Sequence, residues 1–262
     1  MGILNCTPDS FSDGGSYLSV STAFERALQM IDDGADWIDI GGESTRPDAL
    51  PVTEKEELGR VLPVIQKIRQ HSKIPISIDT TKASVAKAAL EAGANLINDV
   101  SALSLDSQMI EVAKKFQTKV ILMHRRGNPQ TMQSLASYKN VATEVTQELE
   151  QKVNEALAKG ISAEQIWIDP GFGFSKTAEQ NWELLHRIKN FKKMGFPVVV
   201  GLSRKSFMEP KKNPKDRLLE SLVSGFYAAL QGVDILRVHD VVETRQMLNL
   251  AGKLLAFEQK LV

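Results

Sequence analysis

The chain has 262 residues, 42% hydrophobic and 24% charged, the make-up of a globular protein rather than a disordered or fibrous one. Basic and acidic residues number 32 each, so net charge favours no polyanion partner such as nucleic acid, and any basic pocket has to be local. The single cysteine, Cys6, excludes a disulfide within the chain. No apolar run reaches membrane-spanning length and no basic-then-apolar leader opens the sequence, so a cytoplasmic setting is expected.

Eight short apolar runs follow one another, each closing on polar residues. In order they are Ile3–Asn5, Trp37–Gly42, Ile76–Asp79, Leu96–Asp99, Val120–His124, Ile166–Asp169, Val198–Lys205 and Ile235–Asp240. Parallel strands buried on both faces read this way. Helical patterns fill the gaps. Ser21 or Thr22 caps a predicted helix to Asp33, with Ala23, Ala27, Leu28 and Ile31 on one face. Thr53 to Gln70 opens on a capping box, Thr53-Glu54-Lys55-Glu56, and needs a kink or restart at Pro63. Lys82 to Ala92 stops at Gly93, and Gln108 to Phe116 is short. Tyr138 to Lys159 stops at Gly160, Ala178 to Met194 at Gly195, and Lys215 to Gln231 at Gly232. Val241 to about Phe257 is last.

Eight such β-α units form either a closed (β/α)8 TIM barrel or a doubly wound open sheet. Polar residues at nearly every strand end favour the barrel, whose site opens at the C-terminal ends of its strands. An open sheet would gather them near one switch point. The expected architecture is α/β, one domain over residues 1–262, with a first strand so short that it reads as clipped: either the chain is a piece of a longer one or the barrel floor is open there. Three long loops, Thr7–Val20, Glu43–Val52 and Arg125–Ser137, are candidate lids.

Asp79, Asn98 and Asp169 end the third, fourth and sixth strands. Any one of them alone could as readily cap a loop. Converging, they suit a flat heterocycle with N–H donors and a ring carbonyl. Asp39 and Asp99 read as structural partners. Strand alternation groups Lys205 with Ser203 and sends Arg204 elsewhere. Lys205 could donate to a ring atom or form a Schiff base. Arg237 and His239 precede a helix start beside the last strand, where barrels often bind phosphate. Asn5 is their neighbour once the barrel closes, and Thr45 and Arg46 can reach the same anion. Asn5 and a diphosphate could share a Mg²⁺. One Cys and four scattered histidines (His71, His124, His186, His239) argue against structural zinc. In Asp169-Pro170-Gly171-Phe172-Gly173-Phe174, the glycines permit close approach and Phe174 could wall an aromatic ligand. Phe11, in the first loop, either closes over that ligand or tucks back onto the barrel.

Met1 to Asn5 with Thr7 to Gly15, Ile38 to Pro47, Asp169 to Phe174, Ser203 to Ser206 and Arg237 to Asp240 together resemble the dihydropteroate synthase family, in order and over essentially the whole chain. The resemblance implies condensation of 7,8-dihydropterin-6-ylmethyl diphosphate with 4-aminobenzoate, giving 7,8-dihydropteroate and pyrophosphate in folate biosynthesis. It implies that Asp79, Asn98, Asp169 and Lys205 hold the pterin, with Arg237 against its face. These residues other than Asn98 carry the catalysis. Asn5, Thr45, Arg46, Arg237 and His239 would hold diphosphate, with Mg²⁺ at Asn5. Phe11, Pro47, Phe174, Ser203 and Lys205 would shape the aminobenzoate site, for which sulfonamides compete in the family. A homodimer built from the later helices is implied too. Asp48, Arg125-Arg126, Glu209-Pro210 and Cys6 depart from the family pattern. Alternatives are a pterin-dependent methyltransferase, a non-catalytic pterin-binding protein and a Schiff-base aldolase.

Overall fold

A computed structural model describes residues 1–7, 16–45 and 49–258. Among the described residues eight parallel strands alternate with helices: β1 Gly2–Asn5, β2 Ile38–Gly41, β3 Ile76–Asp79, β4 Leu96–Asp99, β5 Lys119–Met123, β6 Ile166–Asp169, β7 Val199–Val200 and β8 Ile235–Leu236. β1 to β6 form one ladder in chain order, and β7 pairs with β8. Single bridges, Ile168 to Val198 and Gly2 to Val238, join the two ladders into a ring. At the second seam Ile3 N–H donates to Val238 O (2.8 Å) and Val238 N–H to Met1 O (2.9 Å). The expected open floor is therefore corrected: four residues of β1 suffice to close the TIM barrel.

The strands' period of two sorts their side chains. Ile38, Ile40, Ile76, Ile78, Val120, Leu122, Ile166 and Ile168 face outward into the core beneath the helices. Leu96, Ile121, Trp167 and Val199, with Trp37 and Ile235 against them, form a separate cluster inside the ring. Two residues further along these same strands stand Asp39, Asn98, Met123, Asp169, Gly201 and Arg237. The apolar interior layer is thus capped by a mostly polar layer at the strands' C-terminal ends, where barrel sites form.

The helices are α1 Ser16–Asp32, α2 Glu54–His71, α3 Ala83–Glu91, α4 Met109–Phe116, α5 Val141–Ala158, α6 Ala178–His186, α7 Lys189–Lys192, α8 Leu218–Leu230 and α9 Val241–Glu258. Thr53 and Glu56 make the expected capping box on α2. Pro63 does not restart that helix, which runs unbroken from Glu54 to His71. It lies on the exposed face four residues after exposed Gly59, so the carbonyl it leaves unpaired meets water. α1 starts five residues before Ser21, taking up part of the expected first loop. The helix expected over Ala178–Met194 is two. Around residue 188 the bonds tighten to three-residue spacing (Ile188 N–H to Leu185 O 3.1 Å, Phe191 N–H to Ile188 O 3.1 Å), and both Ile188 and Phe191 are fully buried. Among the described residues no helix is long and apolar enough to cross a membrane.

Candidate active site

The polar layer is tied together by Arg237. Its Nε donates to Asp39 Oδ2 and one Nη to Asp79 Oδ2, both at 2.6 Å. Asn98 Nδ2 approaches Asp39 Oδ2 at 3.3 Å. Asp39 is wholly buried, and Asp79 and Asn98 nearly so. Burial opposes the Arg237 charge, but Asp39 and Asp79 outweigh it and hold its pKa above the ordinary value. Burial also raises Asp79; Arg237 counters it, while Asp39, Glu57 and Asp99 add to the rise. Two edges of the guanidinium are occupied by carboxylates, so it offers a ligand its flat face and the remaining Nη. Asp39 is the structural partner expected, for Arg237 and Asn98 together. Asp99 is one as well: it accepts from Ser101 N–H (2.7 Å), Ser101 Oγ–H (2.7 Å) and Leu103 N–H (3.0 Å).

Asp169 joins this layer from β6. Burial raises its pKa, while the Gly171 N–H, Lys205 and Arg237 pull it down. Gly171 N–H caps Asp169 Oδ1 at 2.7 Å. That turn demands glycine: φ is +70° and a Cβ would lie 2.0 Å from His124 O. Gly173 serves differently, since a Cβ there would come within 3.0 Å of Lys205 Cδ. Lys205 Nζ lies 4.4 Å from the Phe174 ring centre, a cation–π contact. Phe174 in turn packs on Val100, Met123 and Met132. One side of the mouth is therefore acids, amide and guanidinium, and the other is apolar, which is the environment a flat polar heterocycle needs.

Ser203 Oγ accepts the His239 backbone N–H (3.2 Å) and lies 3.0 Å from His239 Nδ1. Burial, then Arg204 and Arg237, push His239 down to about 3, so the ring is neutral and not one of the site's cations. Arg204 turns away as expected, bound to Asp240 through Nε (3.0 Å) and Nη (2.5 Å). The expected shared direction of Ser203 and Lys205 is corrected. The strand ends at Val200 and Arg204 has φ +59°, so alternation no longer governs. Ser203 engages the β8 side and Lys205 the β6 side. Asn5 and Thr45, both half-buried, end β1 and follow β2 on the same rim. Phe11, Arg46 and Pro47 lie outside the described residues, as does Asp48.

Two clusters escaped the sequence reading. Lys82 Nζ bridges Glu43 (2.5 Å) and wholly buried Glu57 (2.6 Å), fixing the start of the second loop. Buried Lys176 contacts His124, which meets Glu148; Arg126 pairs with Glu148 and Glu144. Lys176 lies two residues past Phe174 and carries no local signal of burial in the sequence. Arg125 continues the inward side of β5 beyond Met123. Burial lowers its pKa, while Asp99, Asp79 and Glu43 act to raise it, which places it toward the acids.

A closed barrel whose polar cap offers carboxylates, an amide and a guanidinium beside an apolar wall is built to hold a pterin-like ring. Residues 1–239 match the model of the pterin binding enzyme family, and the chain belongs to it. Within that family its relatives include dihydropteroate synthases. That of Synechocystis sp. is 48% identical over 257 residues, spanning 97% of this chain and 89% of the relative. The Yersinia pestis dihydropteroate synthase, solved as a sulfonamide drug complex, superposes with a TM-score of 0.92 at 40% identity, covering 98% of this chain and 94% of the other. The Xanthomonas albilineans enzyme, solved with 7,8-dihydropteroate, gives 0.88 at 37% identity, with 98% and 93% covered.

Proposed function

We propose that the protein is a transferase that joins 7,8-dihydropterin-6-ylmethyl diphosphate to 4-aminobenzoate, releasing pyrophosphate and 7,8-dihydropteroate for folate biosynthesis. The observation that carries this reading is the gathering of Asp79, Asn98, Asp169, Lys205 and Arg237 around one barrel mouth. Asp79 and Asp169 accept the ring's N–H donors, Asn98 both accepts and donates, and Lys205 donates to the ring carbonyl or a ring nitrogen. Arg237 lays its free face on the pterin, because Asp39 and Asp79 hold its edges.

The bond that breaks joins the methylene carbon to the diphosphate oxygen. Positive charge then develops on the methylene and spreads into the pterin, where the Asp169 carboxylate stabilises it. The amine nitrogen attacks that carbon from the face opposite the leaving group and loses a proton to solvent. No enzyme nucleophile is required, so Lys205 acts as a cation and hydrogen-bond donor, not as a Schiff base.

Asn5, Thr45, Arg46, the remaining Nη of Arg237 and neutral His239 hold the diphosphate. Phe174, Ser203 and Lys205, with Phe11 and Pro47, bound the aminobenzoate site. Asn5 supplies one hard oxygen donor for Mg²⁺. Among the described residues no three His, Cys, Asp or Glu gather as a metal cage. That donor set fits an ion completed by phosphate and water oxygens. When bound, Mg²⁺ neutralises charge on the leaving diphosphate.

The enzyme acts in the cytoplasm as one barrel domain, and two copies pair through the later helices. Leu219 and Val223 on α8, and Leu250 and Leu254 on α9, are more than half exposed at four-residue spacing, and light scattering will show a dimer. The reaction is tested by incubating the protein with Mg²⁺, dihydropterin diphosphate and 4-aminobenzoate. Dihydropteroate and pyrophosphate in equal amounts support the reading; pyrophosphate without dihydropteroate overturns it.

A further inference from the structure

Behind the wall formed by Gly171 to Phe174 runs a chain of polar groups that the proposed reaction does not use, buried at Lys176 and His124 and partly exposed at Glu148 and Arg126. Lys176 is 3% exposed. Its Nζ lies 2.9 Å from Gly171 O, 3.0 Å from Phe174 O and 3.0 Å from His124 Nδ1. Across the ring, His124 Nε2 is 2.9 Å from Glu148 Oε2. Arg126 holds the same carboxylate, with Nε 3.0 Å from Glu148 Oε1.

These contacts assign the protons. The Glu148 carboxyl meets burial, which opposes its charge, but bonds from His124 and Arg126 bring it down to about 2, so it is ionised and only accepts. His124 Nε2 must therefore carry a hydrogen. Burial and the adjacent Lys176 push the ring down to about 4, so it is neutral and Nδ1 is a bare acceptor. Lys176 donates to that acceptor and to two carbonyls. Three donations need three N–H bonds, which is the ammonium form.

Both carbonyls belong to residues that shape the site. Gly171 N–H caps Asp169, and the Phe174 ring carries Lys205. We propose that Lys176, oriented by His124 and Glu148, is a positioning residue for Asp169 and for the Phe174 wall, and that it performs this role only as the ammonium ion. An amine has two hydrogens and a lone pair. That lone pair would face the bare Nδ1. Shifting the ring hydrogen to Nδ1 would relieve this but would set a bare Nε2 against the Glu148 carboxylate. Either way one tie of the loop is lost.

The groups facing Lys176 are Asp169 on β6, Glu148 on α5, Arg126 on the loop after β5 and Lys205 on the loop after β7. Burial lowers its pKa most, Asp169 and Glu148 raise it, Lys205 and Arg126 lower it, and the result is a fall to about 7. Deprotonation then lies inside the pH range in which such an enzyme works.

The kinetic arm of the test rests on the proposed condensation; the spectroscopic arm does not. Dihydropteroate formation is measured from about pH 5.5 to about pH 9 for wild type, Lys176→Met and Glu148→Gln. Wild type should lose kcat on an alkaline limb. Lys176→Met should lose about 10-fold or more in kcat at neutral pH and show no such limb. Glu148→Gln should shift the limb to lower pH, because the carboxylate favours the ammonium. In parallel, ¹⁵N spectra of the His124 ring should show a protonated Nε2 and bare Nδ1 in wild type below neutrality, changing with the same midpoint as kcat.

A folded Lys176→Met with wild-type kcat and pH profile overturns the inference. If that variant does not fold, an unmoved limb in Glu148→Gln overturns it. A wild-type His124 protonated on Nδ1 alone overturns the proton assignment whatever the activity. A wild type that forms no dihydropteroate sinks the reaction instead, and the His124 spectra of wild type and Glu148→Gln still decide the state of Lys176.

Discussion

Asp39 makes a sharp test, because it is fully buried and acts on a ligand only through what it holds. Asp39→Asn keeps the shape and removes the charge. The change strikes Arg237 Nε, now 2.6 Å from a carboxylate, and Asn98 Nδ2, now 3.3 Å away. Stripping a buried ion of its sole partner costs ~3–5 kcal/mol, but Arg237 keeps Asp79. The smaller figure applies, about 1.5–3 kcal/mol for one charge-assisted hydrogen bond. For a protein of this size that corresponds to a fall in Tm of roughly 3–12 °C. Pterin affinity, measured by calorimetry, should fall by roughly ten-fold or more as Arg237 and Asn98 lose their fixed positions. Asp39→Asn combined with Arg237→Met should show coupling, the double variant losing less than the two single losses added. A Tm and a pterin affinity both unchanged in Asp39→Asn would refute the clamp.

Lys205→Ala and Asp79→Ala should each weaken pterin binding well over ~10-fold, since each strands buried polar partners worth roughly 1–3 kcal/mol or more; unchanged affinity in both removes the pocket. Gly171→Ala forces a side chain onto φ +70° and against His124 O, so it should cost at least ~1–3 kcal/mol in urea unfolding and lower kcat through Asp169. Acid stability should fall in a defined window. His124, lowered by burial to about 4, stays neutral in the fold while the unfolded chain takes up a proton near pH 6.5. The unfolded state thus binds more protons between those values, and stability drops by about 3 kcal/mol as pH falls through them. His124→Gln should flatten that part of the profile, with His239 supplying the remainder in the same direction. An unaltered slope would show that His124 is charged in the native state.

The barrel was legible because its strands announce themselves twice, as apolar runs and as polar strand ends. Trp37 to Asp39, Leu96 to Asn98 and Trp167 to Asp169 each carry an inward apolar residue and, two positions on, an inward polar one. A period of two makes that readable without coordinates. The reading failed where this period stops. Past Val200 the chain turns, so Ser203 and Lys205 part company. Past Phe174 the loop folds back, and Lys176 is buried by contacts with residues some fifty positions away, which no local pattern encodes. The C-terminal end of α6 was misplaced for a related reason: its start is capped by Thr177 as a local signal, but its end follows the packing of buried Ile188 and Phe191, which no local pattern marks.

The charges of the polar layer also say where the diphosphate can sit. Asp39 and Asp79 hold Arg237 between them, and Asp169 faces Lys205, Arg237 and Lys176, so among the described residues the acids of this layer offset its cations. The layer favours the N–H edge of a neutral ring. A diphosphate held over those acids would meet repulsion that water no longer screens. It is tolerable only on the rim, where Asn5, Thr45 and His239 offer neutral donors and oxygens and where the Mg²⁺ proposed for Asn5 would bring positive charge. The ring and its leaving group are thereby pulled toward opposite surroundings, and the bond between them is the one that has to break. Adding positive charge to the floor tests this. Asn98→Lys should weaken binding of the pterin without its diphosphate far more than it weakens binding of pyrophosphate alone, both measured by calorimetry with Mg²⁺ present. Equal losses for the two ligands would mean that they share one subsite, and the division of labour argued from the acids would be wrong.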